Sequence, residues 1–96
     1  MTGEKTKTIQ FNEDGIKEIP DNKPAVYEIL TKSGENIYTG IAKRGRVKDR
    51  LNEHLSGGPD PIPGGKKVKI IQKPSIDEAR KSEKRIISRV KPKHNK

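Results

Sequence analysis

The spacing of apolar residues along this chain changes period several times, and each change marks an element. Ala25 to Thr31 (AVYEILT) and Asn36 to Ala42 (NIYTGIA) are rich in β-branched and aromatic residues and flank the turn signal Ser33-Gly34, which predicts a β-hairpin. Lys67 to Gln72 (KVKIIQ) predicts a third strand. Thr8 to Phe11 allows one more short strand, and Asn12 can cap a short helix through Ile19, weakened by Gly15. A helix is predicted over Arg46 to Leu55, with Val47, Leu51 and Leu55 inward, whereas Ser56 to Gly65 (SGGPDPIPGG) is a loop. The last helix, Ser75 to Val90, opens with a capping box in which Ser75 is the N-cap and Glu78 follows three residues on. Its apolar residues Ile76, Ala79, Ile86, Ile87 and Val90 share one face. The order ββαβα, with a possible strand and helix ahead of it, predicts a small α/β (α+β) sandwich. Its centre is a three-stranded, mainly antiparallel sheet flanked by helices. Residues 1–96 read as a single domain, with 1–23 an N-terminal extension and 25–95 the core.

Some polar residues depart from that pattern. Glu83 lies seven residues after Ile76 and three before Ile86, so it projects from the middle of the apolar stripe. A carboxylate facing a core is rare unless it is paired or holds a cation. A buried ion pair, a helix turned enough to wet the position, and a cation ligand all remain open. In the hairpin, a loop of two or four residues makes cross-strand partners sum to 67. That register sets Tyr27 opposite Gly40 and Ile29 opposite Tyr38, so both tyrosines share a sheet face and Gly40 leaves room beside them. A three-residue loop would put them on opposite faces. Arg50 and His54, four residues apart, share one side of the middle helix. They can present a guanidinium fork to a phosphate with an imidazole beside it, or be a solvated Arg and a structural His.

Composition narrows the partners. Against 13 Asp and Glu stand 22 Lys and Arg, a formal charge of +9, which favours a polyanion, nucleic acid before membrane. Hydrophobic content is only 27%, but it is concentrated in the periodic segments, so a folded core is expected. With no cysteine, disulfides and thiolate zinc sites are excluded. No apolar run approaches a membrane span and the N-terminus lacks the apolar region of a signal peptide, so a cytoplasmic location is the expectation.

Taken in order, these residues resemble the GIY-YIG nuclease domain. Ala25-Val26-Tyr27 stands for GIY and Tyr38-Thr39-Gly40 for YIG. Arg50 in RLNEH looks like the family's arginine helix with its frequent histidine. A short insertion in the KRGR segment precedes it, which makes Arg44 or Arg46 alternatives for the same role. Glu83 followed by Ile86, Ile87, Lys91-Pro92-Lys93 and Asn95 resembles the family's closing glutamate helix and its K-P-x-x-N end. The Pro/Gly loop stands where the family usually has helix. No added specificity module is expected, which leaves room for a protein partner or self-association to supply specificity.

The resemblance implies a metal-dependent endonuclease that hydrolyses phosphodiester bonds in DNA, directed by DNA structure more than by sequence. Glu83 would hold one Mg²⁺ or Mn²⁺, Arg50 would fork onto the phosphate, and Tyr27 would be general base. Tyr38 would position the water or substitute for Tyr27, and His54 would orient or assist a tyrosine. Gly40 and Asn95 would support the site, while Lys43, Arg44, Arg46 and Lys48 would contact the nucleic-acid backbone. The alternative is a non-catalytic module that binds DNA or RNA on the same fold. With three aromatics in the chain, a stacking platform for single strands is poorly supported.

Overall fold

The computed structural model of the chain describes residues 5–55, 57–59 and 61–95; Ser56 and Asp60 of the predicted loop, with residues 1–4 and 96, lie outside the described residues. The elements follow as β1 (Lys5–Gln10), α1 (Glu13–Lys17), β2 (Ala25–Leu30), β3 (Asn36–Ala42), α2 (Val47–Glu53), β4 (Lys67–Gln72) and α3 (Ile76–Val90). The strands form one antiparallel sheet in the order β1-β4-β2-β3.

Both N-terminal elements that the sequence only allowed are in place. β1 pairs with β4 from Lys5↔Gln72 to Gln10↔Lys67, which makes the sheet four-stranded and turns β4 into an interior strand. Asn12 caps α1, its Oδ1 accepting the Gly15 N–H at 2.8 Å. Gly15, a weakness by helix propensity, is buried, and a Cβ there would collide with the Gln10 carbonyl. The glycine is what lets α1 fold back against the end of β1.

The hairpin keeps the register that pairs Tyr27 with Gly40 and Ile29 with Tyr38, but reaches it by another route. Thr31 N–H donates to Glu35 O at 2.9 Å, closing a turn around Lys32, Ser33 and Gly34, whose φ of +95° suits glycine. Alone, this odd turn would separate the tyrosines. Between Ile29 and Leu30 the register shifts by one residue, since Leu30 pairs with Asn36. Ile37 is thus the extra residue of a β-bulge, and the bulge restores the shared face.

On that face Ala25, Tyr27, Ile29, Val68 and Ile70 pack into one core with Ile16, Ile19, Val47 and Leu51. Val26 and Thr39 alternate to the other face and are also fully buried, where α3 packs across β2 and β3. The middle helix is shorter than its pattern: α2 ends at Glu53 with His54 as C-cap, and Leu55 lies half-buried beyond it. The His54 carbonyl accepts from Ile62 N–H at 3.0 Å, outside the helical ladder.

α3 starts as expected, with Ser75 Oγ accepting the Glu78 N–H at 3.2 Å. Its buried line, however, is Ala79, Ser82 and Ile86, while Ile76, Glu83 and Ile87 are half-buried and Val90 is 44% exposed. The helix is rotated so that its small residues meet the sheet, and Glu83 borders the apolar stripe instead of occupying its centre. Lys91, in the left-handed region at φ +53°, ends the helix by donating to Ile87 O at 2.8 Å. Pro92 follows, and its carbonyl accepts the Asn95 N–H at 3.1 Å, which turns the chain back towards β3. Among the described residues no helix is long and apolar enough to cross a membrane.

Candidate active site

Register brings the two tyrosine rings to 6.2 Å between centroids, and the end of α2 brings His54 to both. The Tyr27 Oη lies 2.9 Å from His54 Nε2, and the Tyr38 and His54 rings are 4.8 Å apart. Tyr27 and His54 are fully buried; Tyr38 is half-buried. Gly40 makes this possible: a Cβ at that position would lie 2.6 Å from Tyr27 Oη and 3.0 Å from Tyr38 Cε2. The phenol thus lies over bare backbone at the edge strand β3, where groups from both layers of the sandwich can meet.

Arg50 arrives from α2. Its Nη1 donates to Glu53 Oε1 at 2.8 Å, a half-exposed pair one turn apart. Burial works against the guanidinium's charge, but Tyr27, Glu53 and Tyr38 more than offset it, so Arg50 is held firmly cationic. Tyr27 titrates well above an ordinary tyrosine, chiefly because burial disfavours the phenolate and next because Tyr38 is close. The charge and close polar contact of Arg50 pull it back down, and Glu83 pushes it up. Glu83, carried by α3 on the other face, is therefore within electrostatic range of Tyr27. Its own carboxyl is raised by burial, against the opposing pull of Arg80 and Lys84.

Asn95 is a brace. Its Oδ1 accepts the Thr39 N–H at 2.8 Å and its Nδ2 donates to Thr39 O at 2.9 Å, so one amide closes the open edge of β3 between Tyr38 and Gly40. Of the basic residues, Lys43 and Arg46 line a cavity with Arg50, and Arg46 also pairs with Asp49 at 3.4 Å. Arg44 is exposed, and Lys48 faces α1, lining a hollow with Glu13 and Ile16. It is Arg50, not Arg44 or Arg46, that reaches Tyr27.

Two participants escaped the reading of spacing. Glu53 holds Arg50, and the i,i+3 interval was its only signal. Asp21 caps α2 from outside: its Oδ1 accepts the Val47 N–H at 2.9 Å and its carbonyl accepts the Gly45 N–H at 2.9 Å, whereas the N-cap residue Arg46 makes no side-chain cap. Asp21→Ala is expected to cost about 0.5–2 kcal/mol. In a domain of this size that is a fall of roughly 4–8 °C in Tm per kcal/mol, readable by circular dichroism.

A tyrosine pair, an arginine and a histidine meet at a sheet edge of an α/β sandwich, with a carboxylate in electrostatic range. The chain belongs to the GIY-YIG family: the model of the GIY-YIG catalytic domain matches residues 23–96. Membership implies nuclease activity on DNA, and such nucleases generally use a divalent metal. β1, α1 and Asp21 lie ahead of the matched segment. No curated protein matches the chain.

Among the described residues no cluster of three or more His, Asp or Glu forms a ready metal cage. The donor set still fits a hard cation of the Mg²⁺ type. Such ions keep several waters and are held by one or two carboxylates together with substrate phosphates. Glu83, which is half-buried, is the carboxylate that would hold it.

Proposed function

We propose that this protein is a metal-dependent endonuclease that hydrolyses phosphodiester bonds in DNA and selects its sites by DNA structure, as on nicked, flapped or branched DNA of the kind repair and recombination produce. The observation that carries the reading is the contact of Tyr27 Oη with His54 Nε2 at 2.9 Å, with Arg50 against the same phenol and Glu83 in range.

Burial keeps Tyr27 protonated at neutral pH, so it works as a base only by relay. As the phenol oxygen takes a proton from the attacking water, its own proton passes to His54 Nε2. The water oxygen then bonds to phosphorus while the bond to the leaving oxygen breaks, and that oxygen takes up a proton from solvent. Arg50 gives up part of its contact with Glu53 and forks onto the phosphate oxygens as charge builds there. Tyr38, nearer solvent and packed on His54, positions the water. Asn95 holds β3, and with it both tyrosines, at a constant spacing. Glu83 would hold a divalent ion, Mg²⁺ or Mn²⁺, which would supply Lewis-acid stabilisation of the developing charge. Lys43 and Arg46 grip the backbone without reading bases, which supports selection by shape.

The test is a cleavage panel of labelled linear, nicked, flapped and branched DNAs, with RNA alongside, in Mg²⁺, Mn²⁺ or EDTA. Cutting of DNA that stops with EDTA is the expected result. Salt-sensitive binding without cutting in any metal would leave a basic binding module on a nuclease fold and end the catalytic reading.

A further inference from the structure

Beside Arg50, where the end of β3 passes between α2 and the start of α3, lies a cavity of about 290 Å³. Its lining combines aliphatic residues, Ile41, Ala42 and Ile76, with cationic ones, Lys43, Arg46, Arg50 and Arg80. Ligand cavities commonly run from about 300 to 1,000 Å³, so this one suits a single small group and not a duplex. An inorganic phosphate would use the cationic part of the lining and leave the aliphatic part idle. A nucleotide uses both, because its phosphate is anionic and the faces of its base are apolar. Arg46 and Arg80 each have a carboxylate one turn away, Asp49 at 3.4 Å and Asp77 at 3.6 Å, but these pairs are exposed and weak, so a phosphate can take over the guanidinium groups.

We infer that this cavity binds one unpaired nucleotide next to the scissile phosphate, with its phosphate between Arg46 and Arg80 and its base against Ile41 and Ile76. The inference rests on the nuclease reading for its position, since Arg50 belongs to both the cavity and the reacting centre. In a fully paired duplex the base is stacked inside the helix and cannot enter without being extruded, at the cost of unstacking. A base that is already unpaired, at a bulge, flap or gap, enters without that cost. The substrate class follows: DNA with an unpaired nucleotide at the point of cleavage.

The test measures binding, not cutting. Fluorescence anisotropy would compare two labelled duplexes of one sequence, fully paired or carrying a single-nucleotide bulge, with the Glu83→Gln chain so that no probe is consumed. The bulged probe is expected to bind about tenfold or more tightly, because it avoids the cost of unstacking a paired base. Arg80→Glu and Ile76→Glu, each added separately, should abolish that preference. Arg80→Glu has its control in Lys17→Glu, the same charge change at an exposed position of α1, which should leave the ratio intact. Equal binding of the two probes, or a preference that survives both cavity variants, overturns the assignment. If the preference holds but the wild-type protein cuts nothing in Mg²⁺ or Mn²⁺, the nuclease reading alone is sunk. Cutting without the preference would sink the cavity alone.

Discussion

Glu83→Gln is expected to lower DNA cleavage by about 10³-fold or more, since a lost cation ligand withdraws several kcal/mol of transition-state stabilisation at about 1.4 kcal/mol per tenfold. The fold should survive and even gain slightly. Burial raises the Glu83 carboxyl above its ordinary value, so ionising it is harder in the folded chain than in the unfolded one. The folded state is therefore undisturbed below the ordinary carboxylate range and loses stability as pH rises through the raised value. Glutamine never ionises, so the variant should melt at or slightly above wild type at neutral pH. The gap should close as pH falls into the acid range. A neutral-pH Tm well below wild type would mean that Glu83 holds the fold together and does not serve the chemistry.

Tyr27→Phe is expected to reduce kcat by about 10²–10⁴-fold with DNA affinity retained, the usual loss when a general base is removed. The variant also gives up the hydroxyl contact with His54, worth roughly 1 kcal/mol, so its Tm should fall by only a few degrees. His54→Ala should lie in the same range. Because the two residues pass one proton in sequence, the double variant should be little worse than the more damaged single. Tyr38→Phe, at a half-buried position, should cost less. A nearly normal Tyr27→Phe beside an inactive Tyr38→Phe would transfer the base role to Tyr38.

Asn95 offers a milder check on the brace. Asn95→Ala removes both contacts with Thr39 and should cost about 1–3 kcal/mol, visible as a lower Tm. Cleavage should weaken in parallel, because the spacing of the tyrosines depends on β3.

Much of this was legible from the chain because it depends on neighbours in sequence. Alternation within a few residues is enough to define β4, and a serine followed three residues later by glutamate is enough to start α3 at the observed cap. The order of Tyr27, Tyr38, Arg50, His54, Glu83 and Asn95 is also a property of sequence, and it carries the family resemblance. That resemblance now stands on the match over residues 23–96.

Other features were decided only when the elements packed. The turn is of the kind that separates the tyrosines, and the bulge that reunites them answers to the core under Ile29, not to any signal at Ile37. Glu83 lies at the rim because the small Ala79 and Ser82 meet the sheet, a rotation that hydrophobic spacing alone does not resolve. Asp21 caps a helix that begins 26 residues later, and Asn95 closes a strand edge 56 residues earlier. Periodicity reports which face of an element avoids water. Which element lies behind that face, at what rotation and with which distant polar group, follows from the tertiary structure.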